Sequence, residues 1–241
     1  LNLKKFRNEN KKYLVEGKRL IIEGLKAGLI TDIYYCPEKC SFNNFSKIKP
    51  YLNSQINTKE IEEKIFNIFS DTVTSQGLIG IASINIPKFE NCIKSNFNWI
   101  YLDKVKDPGN LGAILRSAEW FGVKNVGLSP DCVDPYNSKV VRSAMGAHFY
   151  LNQIHQSDDL QKQILKLKDQ GLEIIGAELN GTSINKYTPT NKWALILGSE
   201  AHGISSQIKP LLDTSITIPS SGNIESLNVA IAAGIILNHL T

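Results

Sequence analysis

The sequence predicts an α/β protein in two parts, a small N-terminal α/β domain over residues 1–92 and a larger α/β domain over 96–241 built on a mostly parallel sheet. Three observations carry that expectation. Apolar runs of strand type recur through the second part: WIYL, NVGLS from Asn125, HFYLNQI from His148, LEIIGAEL from Leu172, WALILG from Trp193 and SITIP from Ser215. Helical stretches separate most of them, the pattern of parallel strands covered by helices on both faces. The first part has its own, shorter alternation. Between the two, IPKFENCIKSNFN (86–98) has a proline, three asparagines and little periodicity, and reads as a linker.

In chain order, YLVEGKRLIIEGLKAGLITDI (13–33) places Leu20, Ile21, Gly24, Leu25 and Gly28 at the spacing of an amphipathic helix between two short strands, a β-α-β opening. TKEIEEKIFNIFSD reads as a second helix with its acidic residues early, and SQGLIGIASI as an apolar strand that starts after a glycine. Beyond the linker, DPGNLGAILRSAEW follows WIYL. Its Pro-Gly pair ends the strand, Asn110 is the expected helix cap, and Leu111, Ile114, Leu115, Ala118 and Phe121 form one buried face. Asn110, Arg116 and Glu119 are left at the loop or on other faces.

Composition narrows the function classes. Of 241 residues, 42% are hydrophobic and 21% charged, and no apolar run approaches the length of a membrane span. The start, LNLKKFRNENKKYL, is basic and lacks the apolar core of a secretory signal. Cys36, Cys40, Cys92 and Cys132 are scattered, which favours a reducing compartment, and no second Cys/His pair follows Cys36 and Cys40, so no metal is assigned. A cytoplasmic location is expected, or an organelle if a targeting segment has been removed. The net charge of +4 is uneven: residues 1–95 hold 15 Lys and Arg against 10 Asp and Glu, and Lys4, Lys5, Arg7, Lys11, Lys12, Lys18 and Arg19 face only Glu9 and Glu16 in the first 19. Such a segment suits a polyanion or is simply a solvated helix face.

Two more loops follow strands and mix glycine with a few polar groups. In GSEAHGIS, Gly198 and Gly203 bracket Glu200; in IPSSGNIESLNVAIAAGIIL, Pro219 and Gly222 shape a loop from which Ser226 or Asn228 leads a helix through Val229, Ala233, Ile236 and Leu237. Each signal alone is weak, because a glycine after a strand is usually a turn and an arginine on a helix usually solvated. Neither a phosphate-loop lysine nor a GxGxxG fingerprint is present, which argues against a nucleotide-dependent oxidoreductase.

Taken together, DPGNLGAILRSAEWFG, LILGSEAHGIS and IPSSGNIESLNVAIAAGI resemble the three motifs of the SpoU family of RNA 2'-O-ribose methyltransferases, of the SPOUT class. YLVEGKRLIIEGLKAG and SDTVTSQGLIGI are similar to the RNA substrate-binding domain found in front of such enzymes, and DPYNSKVVRSAMGAHF to the family's intervening stretch. The resemblance implies a C-terminal trefoil knot that binds S-adenosylmethionine, a homodimer, and RNA as partner, with large-subunit ribosomal RNA ahead of transfer RNA. A catalytically silent RNA-binding protein of the same fold is the rival reading. By matching positions, Asn110, Arg116, Glu200, Ser226 and Asn228 are the catalytic set, and Gly198, Ile218 and Leu227 contact the cofactor. The chain departs from the family at Ser220, where methionine is common, and at its LNHLT end. His202 reads as a surface residue, and His148, His155 and His239 as structural or exposed.

Overall fold

The computed structural model describes residues 1–85, 87, 89–93 and 98–241. Its elements are α1 (Lys4–Asn10), β1 (Lys12–Glu16), α2 (Lys18–Lys26), β2 (Ile30–Tyr35), α3 (Phe42–Ile48), β3 (Asn57–Glu60), α4 (Glu63–Phe69), β4 (Leu78–Ser83), α5 (Phe89–Cys92), β5 (Trp99–Leu102), α6 (Pro108–Trp120), β6 (Asn125–Leu128), α7 (Ser138–Ser143), β7 (Gln153–Gln156), α8 (Leu160–Asp169), β8 (Glu173–Ser183), β9 (Trp193–Leu197), β10 (Thr214–Thr217) and α9 (Val229–Leu240). They divide into two units, Leu1–Asn85 with Asp134–Tyr150, and Ile86–Val133 with Leu151–Thr241.

The first unit holds a four-stranded sheet in the order β1-β4-β2-β3, with β4 antiparallel to both neighbours and β3 parallel to β2. The β-α-β opening is therefore split, with β4 inserted between β1 and β2. Its core packs Tyr13, Val15, Leu20, Ile21, Ile33, Ile48 and Leu78 together with Val141 and Phe149, which come from the 134–150 segment. Where α2 ends, Gly28 takes φ +68°, a conformation that favours glycine. The stretch expected as one helix from Thr58 instead begins as strand β3, registered against Asp32 to Tyr35, and turns helical only at Glu63. Pairing to an open sheet edge outweighs the helix propensity of Lys59 and Glu60.

The 134–150 segment is bound into this unit by polar and aromatic contacts. Arg7, only 5% exposed, pairs with Asp134 and donates to the carbonyls of Leu1 (2.7 Å) and Asn2 (2.8 Å). Tyr136 stacks obliquely on Tyr13 at 5.0 Å. His148 and Phe149, expected in a strand, lie in a helical turn, and β7 begins only at Gln153. The His148 ring is buried with Nε2 2.7 Å from the Pro135 carbonyl, and burial pushes its pKa down to about 4. The Ile86–Asn98 linker lies partly outside the described residues; within it α5 buries Phe89 and Cys92 in the core of the second unit.

The second unit is a six-stranded sheet, order β10-β8-β9-β5-β6-β7, with every pairing parallel. WIYL and WALIL are buried at every position, as strands covered on both faces require. Trp99, Tyr101, Ala194 and Ile196 pack on one face with Ile164 and Leu167 of α8. Ile100, Leu102, Leu195 and Leu197 alternate to the other and are equally buried. Helices α6 and α9 pack on each other, closely enough that Gly234 lies beside the Ser117 hydroxyl. Among the described residues no helix is long and apolar enough to cross a membrane.

Candidate active site

A parallel sheet presents its useful loops at the C-terminal strand ends, and three of them meet here. The first follows β5. Asp107, not Asn110, caps α6: its Oδ1 accepts from the Asn110 N–H at 2.7 Å, and Pro108 occupies the first helical position, where its missing N–H costs nothing. Asn110 therefore sits in the first turn of the helix with its side chain unspent on capping.

The second loop follows β9. Ser199 and Gly203 exchange backbone hydrogen bonds (3.1 and 2.9 Å), with Gly203 at φ +66°, and this closes a tight turn that carries Glu200. Gly198 lets the turn close on itself, because a Cβ there would stand 2.0 Å from the Gly203 carbonyl carbon and 2.2 Å from the Ile204 nitrogen. The turn is also tied to β5: the Ser205 N–H donates to Asp103 Oδ2 at 2.8 Å, and Asp103, 2% exposed, sits just past Leu102. The His202 side chain is exposed, and its backbone N–H bonds the Ser199 hydroxyl.

The third loop leads from β10 into α9. Asn228 is the cap; its Oδ1 accepts from the N–H groups of Ala230 (2.9 Å) and Ile231 (3.3 Å). Its Nδ2 donates to Asn110 Oδ1 at 2.9 Å, and Asn110 Nδ2 donates to Glu200 Oε1. Only one orientation of the two amides satisfies this chain. The helix N–H groups demand an oxygen from Asn228, so Asn228 offers its NH2 to Asn110, which must then turn its own NH2 to the carboxylate. The result is a polarised run of donors ending on Glu200.

The structure thus brings Asn110, Glu200 and Asn228 together. Arg116 and Ser226 are exposed, and their side chains make no hydrogen bond or ion pair to another described residue. Arg116 lies six residues beyond Asn110, about 120° round the helix at 3.6 residues per turn. Ile218 is half-buried, while Leu227 and Ile224 are exposed. Between Ile218 and Leu227 no main-chain N–H reaches a backbone carbonyl of another described residue, and among the described residues only Gly222 has a side-chain acceptor, the Ser220 hydroxyl. Sequence reasoning missed Asp103 and Ser205, since no local pattern announces a contact across 102 positions. It also missed the Asp107 cap, although Asp before Pro is a helix-start signal.

The model of the SpoU rRNA methylase family matches residues 98–238. The chain belongs to that family. Residues 1–80 match the MRM3-like substrate binding domain. Among curated relatives of this SpoU protein, Bacillus subtilis 23S rRNA (guanosine(2553)-2'-O)-methyltransferase RlmP is 31% identical over 242 residues, covering 100% of this chain and 92% of its own. An rRNA methyltransferase structure from Sinorhizobium meliloti superposes with a TM-score of 0.81 at 26% identity, covering 99% of this chain and 90% of that one. The SpoU methyltransferase AviRb from Streptomyces viridochromogenes, solved with AdoMet, gives 0.84 at 20% identity over 99% and 92%, a likeness of fold.

The third loop fits an adenosyl sulfonium ligand. Such a ligand needs apolar cover and main-chain hydrogen bonds rather than a phosphate cradle, and the segment from Ile218 to Leu227 offers uncovered apolar side chains beside unspent N–H groups.

Proposed function

We propose that this SpoU protein transfers the methyl group of S-adenosylmethionine to a ribose 2'-hydroxyl of large-subunit ribosomal RNA, and that it does so as a homodimer. The observation that carries the reading is the Asn228–Asn110–Glu200 chain of hydrogen bonds, assembled from three loops at the ends of parallel strands in a member of this family. The RlmP relative, matched along nearly its whole length, supports ribosomal RNA as the substrate.

S-adenosylmethionine, when bound, supplies a methyl carbon made electrophilic by its sulfonium. The protein's task is to hold a ribose oxygen in line with it and to favour negative charge on that oxygen. The Arg116 side chain has no partner among the described residues, so its guanidinium is available to a phosphate beside the target nucleotide and to the charge growing on the 2'-oxygen. It acts as a cation that keeps its proton. Glu200 has one oxygen fixed by Asn110, which leaves the second to orient Arg116 or a ribose hydroxyl. Asn228 holds Asn110 in register and Ser226 places the ribose. Gly198, Ile218 and Leu227 hold the cofactor by main-chain and apolar contacts. We carry the trefoil knot over from the family; the route of the chain from β10, at the sheet edge, back to α9 against α6 supports it.

A dimer is supported by apolar side chains left uncovered on two packed helices, Trp120 on α6 and Ile231 and Ile235 on α9. Light scattering should then give twice 26.8 kDa, and Trp120→Glu should give a monomer with little activity. The chemistry is tested by incubating the purified protein with methyl-labelled S-adenosylmethionine and, separately, large-subunit rRNA and bulk tRNA, then digesting to nucleosides. Label in a 2'-O-methyl nucleoside from rRNA is expected. Label confined to tRNA would move the substrate, and label in neither, despite cofactor binding, would favour a silent RNA-binding protein.

A further inference from the structure

Part of the basic charge of the N-terminal segment is already matched by carboxylates: Lys5 faces Glu9, Arg7 is buried against Asp134 and Lys12 meets Asp32, while further on Lys26 meets Glu23. The balance differs along α3 and the helical turn that follows it, Lys49–Tyr51. From Lys39 to Lys59 the chain has no acidic residue, and Lys47 and Lys49 have no ion-pair partner among the described residues. Lys18, at the start of the neighbouring α2, is held here by its Nζ, 3.0 Å from Asn44 Oδ1. With no carboxylate in the segment, Lys47 and Lys49 keep their charge available.

It also carries an aromatic side chain that the fold does not use. Phe45 faces inward and packs on Tyr35 at 4.7 Å, and Ile48 is fully buried, so the apolar side of α3 is already committed. Phe42, in the first turn, is 87% exposed. Helical spacing lines Phe42 up with Ser46 and Lys49, and puts Asn43 and Lys47 on the adjoining stripe. A bare aromatic ring beside unpaired lysines and amide side chains, with no carboxylate in the segment, is the composition of a surface for unpaired nucleotides: the ring stacks a base, the amides bond its edge and the lysines meet phosphates.

We propose that the α3 ridge of Phe42, Asn43, Lys47 and Lys49, with Lys18 beside it, takes an unpaired nucleotide of the RNA, its base stacked on Phe42 and the flanking phosphates met by the lysines. The proposal rests on the ribosomal RNA reading but can fail separately from it. The test uses the full chain, with fluorescein-labelled 12-mers of oligo(A) and oligo(U) and a blunt 12-base-pair RNA duplex, read by anisotropy across a salt series. Phe42→Ala should weaken both single strands about tenfold, within the range for loss of one stacked base, and Phe42→Trp should restore binding, with the duplex and S-adenosylmethionine affinities unchanged. Lys47→Gln with Lys49→Gln should weaken oligo(A) and oligo(U) equally and flatten the slope of log K against log salt by about 1.4, the value for two phosphate contacts on a single strand. Single-strand binding untouched by Phe42→Ala, or lost together with duplex binding, overturns the ridge whether or not the protein methylates RNA. The predicted losses in a protein that methylates no RNA uphold the ridge and sink the methyltransferase reading instead.

Discussion

Gly198→Ala tests whether the Glu200 turn is held by its own backbone. An added Cβ would meet the Gly203 carbonyl carbon at 2.0 Å, whereas ordinary contact begins near 3.4 Å, so the turn must retreat by about 1.4 Å. The neighbouring atoms are backbone, closed by the Ser199–Gly203 pair and anchored through Ser205 to buried Asp103, so no rotamer change relieves the clash. Glu200 moves with the turn and leaves Asn110 Nδ2. A displacement on the order of 1 Å at a reacting centre costs roughly a hundredfold in rate, or about 2.7 kcal/mol of transition-state stabilisation. The assay is methyl transfer to large-subunit rRNA under single-turnover conditions, with circular dichroism to confirm that the sheet persists. A folded variant with a rate within threefold of wild type would refute the reasoning, because the turn would then have to give way freely.

Three further outcomes follow from the structure. Arg116→Ala should abolish methyl transfer while S-adenosylmethionine affinity by calorimetry stays nearly unchanged; equal loss of both would place Arg116 in the cofactor pocket. Arg7→Ala leaves Asp134 without its cation among largely buried surroundings, and urea denaturation should report a loss of about 3 kcal/mol, the low end for breaking a buried pair. The third concerns pH. Burial holds His148 neutral down to about 4 against an ordinary 6.5, so the unfolded chain takes up a proton in that window and the folded one does not. Stability from this residue is intact above pH 6.5 and falls as pH drops toward 4, by about 3 kcal/mol in all. The wild type should therefore lose more stability over this range than His148→Phe, as read from denaturant midpoints.

Much of the second unit was legible because its strands are buried on both faces. WIYL, NVGL and WALIL carry no polar side to disguise, apart from Asn125, and each forms a strand where the apolar run predicts one. The site was legible in part. Asn110, Glu200 and Asn228 converge, but only the resemblance among three motifs linked them, since Asn110 and Asn228 stand 118 positions apart. What escaped the sequence depends on partners far along the chain. Asn57–Glu60 is a strand only because β2 offers an open edge, and the attachment of Asp134 to Arg7 spans 127 positions without a local pattern at either end. The apolar run at His148 misled for the same reason: His148 and Phe149 are buried by the first unit, not by the parallel sheet.

The loan of residues 134–150 to the first unit has a consequence for how this protein can be divided. The polypeptide passes between the units at three places, so a single cut near residue 86 does not release two finished pieces. A leading fragment would lack Val141 and Phe149 from its interior and leave Arg7 without its carboxylate, while the trailing fragment would carry a surplus helical segment whose apolar side chains have lost their cover. Recombination that replaces the first unit of this chain must therefore exchange two stretches at once, which binds the inheritance of one unit to that of the other.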